Sequence, residues 1–225
     1  MIRLHVVAEG QTEEAFVKRI LSHHLGFFDI TTDVRCVQTS KKHGKKYRGG
    51  LRSYEQIKSD LLKWLKEDHS PEARFTTMID LYGLPGNFPA ISTAIKTNYP
   101  GKKVDFLEKA FADDIGDKRF IPYLQLHEFE ALIFVDPTKL ELEFIGKRRP
   151  IENLLNIKNQ FPAPEDIDEG TETAPSKRII KEIPEYEGRK ASAGPRIVEA
   201  IGLKNICMSC KHFRNWLQKL EQLGK

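Results

Sequence analysis

The sequence predicts an α/β protein, a mostly parallel four-stranded sheet flanked by helices, followed by a helical C-terminal extension. Three observations carry this prediction. Short apolar runs rich in β-branched residues alternate with helical patterns through the first 150 residues. Three of those runs end in acids, at Glu9, at Asp80 and at Glu128 with Glu130. Beyond that point the patterns are helical, so residues 1–150 read as the α/β domain and 151–225 as a helical extension packed on it.

The elements follow in order. Residues 2–8 form a buried strand, with Ile2, Leu4, Val6 and Val7 apolar. The break is Glu9-Gly10-Gln11-Thr12-Glu13-Glu14. Thr12 fits an N-cap, with Glu13 and Glu14 in the first helical turn, where the helix dipole favours acids. Ala15, Phe16, Ile20 and Leu21 then share one helical face. Residues 33–37 read as a second strand and 41–50 as a basic, glycine-containing loop. Residues 53–68 carry the apolar stripe Ile57, Leu61, Leu62, Trp64 and Leu65 of a helix. Residues 75–81 are a third strand, stopped by Gly83, Pro85 and Gly86. Two short helices follow near 89–97 and 102–113. Residues 119–126 are a fourth strand, in which Pro122 points to an edge position or a late start. His127 to Phe134 reads as a helix start, and further helices are expected near 151–160, 176–183, 195–202 and 209–222.

Composition bounds the function. Of the 225 residues, 40% are hydrophobic and 30% charged, enough for a core. No apolar run reaches the roughly 18 residues of a membrane helix, and the N-terminus has no signal-peptide pattern. A cytoplasmic protein with no membrane partner is the expectation. The net charge of +4 permits an acidic partner without demanding one. Three cysteines, Cys36, Cys207 and Cys210, do not make a disulfide scaffold. No Walker A motif, GxGxxG or GxSxG elbow is present, which argues against a nucleotide-hydrolysing motor or an α/β-hydrolase.

The strand-end acids carry the chemistry. Functional groups of open parallel sheets gather at the carboxyl ends of the strands. Carboxylate oxygens suit Mg²⁺ or Mn²⁺, which bind one or two protein acids together with phosphate and water. Each acid also has a plainer reading: Glu9 as a turn acid, Asp80 as a turn former, Glu128 and Glu130 as charges in a helical first turn. Glu128 and Glu130 share a side only if the strand continues through them.

Positive charge is densest at Lys41, Lys42, Lys45, Lys46 and Arg48, with a further set at Lys177, Arg178 and Lys181, then Arg189 and Lys190. Such residues contact nucleic-acid phosphates or form an ordinary solvated surface. Cys207-Met208-Ser209-Cys210 has CxxC spacing, but the second pair that a structural zinc site needs is absent. The simpler reading is small core residues before a stripe of Phe213, Trp216, Leu217 and Leu220.

An acid just after the first strand and an Asp-x-Asp motif at a later strand end resemble the pattern of Toprim domains, found in topoisomerases, primases and OLD-family nucleases. The stretches Val7-Ala8-Glu9-Gly10-Gln11-Thr12-Glu13, Asp80-Leu81-Tyr82-Gly83-Leu84-Pro85 and Gln125-Leu126-His127-Glu128-Phe129-Glu130-Ala131-Leu132 resemble a Toprim-like family of prokaryotic proteins. That family is related in style to RloB and often encoded beside an ATPase. Pro175-Ser176-Lys177-Arg178 and Cys210-Lys211-His212-Phe213 extend the likeness nearly end to end. The resemblance implies a Mg²⁺-dependent nuclease, or nuclease-like effector, acting on DNA or RNA with an ATPase partner in phage defence. Asp80 and one of Glu128 or Glu130 would then ligate the metal. Glu9 would be a further ligand or the general base, and Glu13 a supporting or helix-start charge. His127 would donate a proton to the leaving oxygen or hydrogen-bond a carboxylate. The chain departs from Asp-x-Asp in having Tyr82 at the second acid. Two alternatives stay open: a non-catalytic binding or adaptor module with a degraded metal site, and a phosphoryl-transfer enzyme for a small phosphorylated substrate.

Overall fold

A computed structural model describes residues 1–42, 45–48, 53–94, 100–167, 170 and 172–225, with the backbone alone for 38–42, 45–48 and 100. Contacts divide the chain into two compact units, residues 1–125 with 219–225, and residues 126–218. This division falls earlier than the boundary at 150 expected from the helical periodicity. Among the described residues no helix is long and apolar enough to cross a membrane.

The first unit is built on a mostly parallel sheet flanked by helices, an α/β fold. Its elements are β1 (Ile2–Ala8), α1 (Gln11–Phe16), a π-helical turn Val17–Leu21, α2 (Ser22–Gly26), β2 (Ile30–Cys36), β3 (Gln38–Lys42), β4 (Lys45–Arg48), α3 (Tyr54–Glu67), β5 (Ala73–Asp80), α4 (Ile91–Ala94), α5 (Pro100–Ile115), β6 (Phe120–Ile121) and β7 (Leu124–Gln125). The main sheet has the order β2-β1-β5-β6, with β7 also paired to β5. Every one of these pairings is parallel. A parallel sheet covered on both faces needs near-continuous apolar strands. Accordingly Leu4, Val6 and Ala8 of β1 and Phe75, Met78 and Ile79 of β5 are fully buried. Each large side chain among them contributes about 1.5–3 kcal/mol relative to exposure.

Several expectations are refined. β2 begins at Ile30, three residues before the expected start at 33. The basic segment expected as a loop is largely an antiparallel ribbon of β3 and β4, with Lys41 opposite Lys46 and Lys42 opposite Lys45. Residues 43, 44, 49 and 50 of that segment lie outside the described residues, as do 95–97 of the expected helix at 89–97. The first helix is capped by Gly10 rather than Thr12, and the Glu13 carboxylate accepts the Gly10 N–H at 2.9 Å. α3 starts as the pattern requires, with Ser53 as N-cap and its N–H donating to Gln56 Oε1.

The fourth expected strand is broken into β6 and β7 at Pro122 and Tyr123. Proline offers no N–H to a ladder. The Thr77 hydroxyl bridges the gap, accepting the Tyr123 N–H at 3.0 Å and donating to the Tyr123 carbonyl at 2.8 Å. The buried Glu108 carboxylate accepts the Leu124 N–H at 2.8 Å. The chain thus rejoins β5 in register after its interruption.

The second unit contains 3₁₀ segments at Phe129–Val135, Pro137–Leu142 and Pro184–Arg189, with α6 (Arg148–Lys158), α7 (Pro175–Glu182), α8 (Lys190–Ile201), α9 (Leu203–Ser209) and α10 (Lys211–Glu221). Residues of α10 from Lys219 onward group with the first unit. Phe129–Val135, expected as an α-helix start, is a 3₁₀ segment with every residue buried. α6, α7, α8 and α9 all contact it, so it is the core strut of this unit.

One polar network supports β1 at its N-terminal end. Asp68 receives two hydrogen bonds from the Arg3 guanidinium, at 3.0 and 2.9 Å, and one from His5 Nε2 at 2.9 Å. The Arg3 hydrogen bonds, then that of His5, hold the Asp68 carboxyl well below the usual carboxylate range. A depressed carboxyl stabilises the fold above its unfolded pKa and loses that effect as pH falls toward its folded value. Asp68→Asn is therefore expected to lower the thermal midpoint at pH 7. The deficit against the native chain should shrink as pH falls below about 4, as followed by circular dichroism. A deficit independent of pH would contradict this.

Candidate functional site

The carboxyl ends of β1 and β5 meet at the point where the strand order reverses, since β1 lies between β2 and β5. Chains leaving two such strands diverge and open a crevice at their carboxyl edge. Glu9 follows β1 directly, and Asp80 is the last residue of β5. The backbone pins this end of β1 on both sides: Glu9 N–H donates to the Met78 carbonyl at 2.9 Å, and Val37 N–H donates to the Ala8 carbonyl at 2.9 Å.

The two acids are joined by a hydrogen bond. Glu9 Oε2 accepts the backbone N–H of Asp80 at 2.9 Å. After Asp80 the chain turns through a 3₁₀ segment, Leu81–Gly83, which passes close over the Glu9 carboxylate. A Cβ at Gly83 would lie 2.7 Å from both carboxylate oxygens, so only glycine fits without displacing them. Both acids are half-buried. Tyr82, at the second acid position of Asp-x-Asp, is 41% exposed.

The surroundings are polar and specific. Cys36, at the end of β2, donates through Sγ to the Gly10 carbonyl and to Glu14 Oε2, both at 3.3 Å. Glu13 closes the cap of α1, which assigns it the helix-start role. Gln125 lies opposite Asp80 in the β5–β7 ladder. Among the described residues no third Asp, Glu, His or Cys completes a compact three-ligand cluster with Glu9 and Asp80. Two carboxylates suit a hard cation whose remaining positions go to water and phosphate oxygens.

His127, Glu128 and Glu130 belong to the second unit, and each is engaged there. Glu128 accepts the N–H of Ser176 and, at 2.9 Å, its hydroxyl, which caps the first turn of α7. Glu130 is 4% exposed, with the Tyr186 hydroxyl at 3.2 Å and Lys190 Nζ at 3.6 Å. The two carboxylates therefore reach different elements. His127 has a positive φ of 61° and donates through Nε2 to the Glu165 carbonyl at 2.8 Å. At 1% exposure it is placed as a buried strut of this unit, which weighs against the expected proton donor.

Of the basic residues, Lys177 is exposed. Arg178 donates to the Thr173 carbonyl at 2.6 Å and lies 5.5 Å over the Phe161 ring. Lys41, Lys42, Lys45, Lys46 and Arg48 lie on β3 and β4, with side chains outside the described ones. Cys210 is fully buried, and burial pushes its thiol well above the usual range. That fits the core reading, as do the buried Phe213, Trp216, Leu217 and Leu220.

Sequence reasoning missed two residues. Glu165, between the helices expected near 151–160 and 176–183, is buried and accepts the His212 and Phe213 N–H groups at 3.0 Å each, capping α10. Burial raises its pKa against the lowering effect of those N–H groups. Gln125 was noticed only as part of a motif, because its neighbour Asp80 is set by strand register. The proximity of Gly83 yields a direct prediction. Gly83→Ala should displace the flexible Glu9 carboxylate and break its bond to the Asp80 N–H, at a stability cost under about 1.5 kcal/mol. The Asp80 amide should then exchange faster with deuterium, read by NMR; unchanged protection would show that Glu9 does not hold that amide.

No curated protein and no solved structure matches the chain. A family model matches residues 8–221, a span that includes Glu9, Asp80, Gln125 and the capping acids of the second unit. The chain therefore belongs to the family described as a domain of unknown function, DUF4276.

Proposed function

We propose that the protein is a Toprim-like, Mg²⁺-dependent nuclease acting on DNA or RNA phosphodiesters at the carboxyl edge of β1 and β5. The observation that supports this reading is the pairing of Glu9 with Asp80 at the strand-order reversal. The donor set fits the cation: Mg²⁺ is commonly held by one or two protein carboxylates, its remaining positions going to water and phosphate oxygens. When bound, Mg²⁺ would supply Lewis-acid stabilisation of the charge that develops on phosphate.

The chain's own groups have separate tasks. Asp80 offers a carboxylate to the cation at the end of a rigid strand. Glu9 is oriented by the Asp80 N–H, and its carboxylate either shares the cation or takes a proton from the attacking water. The water oxygen bonds to phosphorus in line with the leaving ester oxygen, and the P–O bond to that oxygen breaks. The leaving oxygen takes its proton from solvent. Basic side chains of β3, β4 and Lys177 are the candidates for contacts to the polyanion. The resemblance to proteins encoded beside an ATPase adds such a partner to this reading.

A second reading, a non-catalytic binding or adaptor module, is favoured by Tyr82 at the second acid position and by the internal partners of Glu128 and Glu130. Incubation of the full chain with plasmid, single-stranded DNA and tRNA, in Mg²⁺, Mn²⁺ or EDTA, separates the two. The nuclease reading predicts metal-dependent cutting, reduced at least about 100-fold by Asp80→Asn and by Glu9→Gln. Cutting unchanged in both variants would remove this assignment. Binding that is metal-independent and without cleavage would favour the adaptor.

A further inference from the structure

Gln125 ends the first segment of the first unit and is fully buried. It ends β7 opposite Asp80, with Leu124 opposite Ile79. Residues paired in a parallel ladder project to the same face of the sheet, with the strands about 4.8 Å apart. The side chains of Asp80 and Gln125 are thus immediate neighbours at the carboxyl edge. Tyr123, two residues earlier in the chain, donates its hydroxyl to Gln125 Oε1 at 2.7 Å. In this bond Oε1 is the end turned to Tyr123, which leaves Nε2 as the donor on the other side.

The support for that orientation is unusually complete. Tyr123 is itself fully buried, and its backbone N–H and carbonyl are both bound by the Thr77 hydroxyl. Glu108 holds the next residue, Leu124, through its N–H. The interruption of the fourth strand at Pro122 therefore serves a purpose: Thr77, Tyr123 and Glu108 set β7 so that an oriented amide lies beside Asp80.

We infer that Gln125 is the positioning residue of the Asp80 carboxylate, a hydrogen-bond donor that holds its orientation toward the cation. This rests on the proposed metal-dependent function of the Glu9–Asp80 site. The chain thus has an amide at the third strand end, where the sheet places it directly beside the metal acid.

The test is titration of Mn²⁺ into the full-length protein and three variants, by electron paramagnetic resonance of free Mn²⁺, with thermal midpoints measured in EDTA. Gln125→Met keeps the length but removes the amide, and should weaken Mn²⁺ binding about tenfold. Gln125→Glu places a third carboxylate beside Asp80 and should tighten it about tenfold. The same substitution should lower the midpoint in EDTA and recover it on adding Mn²⁺. Tyr123→Phe removes one hydroxyl, releases the amide, and should weaken binding several-fold; it serves as the control if the buried Gln125 variants fold poorly. Mn²⁺ affinity equal to that of the native chain in every folded variant overturns the inference while leaving the Glu9–Asp80 site standing. A native chain that binds no Mn²⁺ removes the site and the inference with it.

Discussion

The hydrogen bond from the Asp80 N–H to the Glu9 carboxylate is the contact around which the carboxyl edge of the sheet is organised. It joins the ends of the two central strands, β1 and β5, at the reversal of strand order. It also uses a charged acceptor, which makes such bonds roughly twice as strong as neutral ones. The demand it makes on the chain is visible at Gly83, where any side chain would occupy the space of the Glu9 oxygens. The core beneath is apolar and fully buried in Leu4, Val6, Phe75 and Ile79, so the strands that carry the two acids have little freedom to separate.

Carboxylates elsewhere in the chain illustrate how the same side chain serves different ends. Glu13 closes the first turn of α1, Glu128 the first turn of α7, and Glu165 the first turn of α10. Each satisfies N–H groups that a helix start leaves without intrahelical acceptors. Glu130 instead pairs with Tyr186 and Lys190 inside the second unit. A sequence rich in acids at element boundaries is therefore partly a sequence of caps. Glu9 differs from these: it accepts an N–H of a neighbouring strand end rather than of its own helix or another helix start.

Much of the first unit was legible in the sequence. The apolar run from Ile2 to Ala8, the stop at Glu9-Gly10, the helix from Tyr54 and the strand ending at Asp80 all follow from periodicity and breakers, and Pro122 marked the edge position that β6 takes beside β5. What was not legible depends on long-range register. The pairing of Ala8 with Met78 and of Asp80 with Gln125 is a property of strand order, which local pattern does not encode. The site's first two acids could be named, but the buried amide beside them could not. The segment around Glu128 and Glu130 allowed either a helix or a strand. It is a 3₁₀ segment entered through an extended residue, and the partners of the two acids lie 48 and 56 positions away. The caps supplied by Glu128 and Glu165 were hidden for the same reason.

The proposed function stands on a divalent cation held by Glu9 and Asp80 at the reversal of strand order. Anomalous diffraction at the manganese edge, from crystals of the full chain grown with Mn²⁺, tests it most directly. The expected map has a peak about 2.0–2.6 Å from carboxylate oxygens of Asp80 and Glu9. A map with manganese bound only elsewhere, or with no peak between these two strand ends, would contradict it.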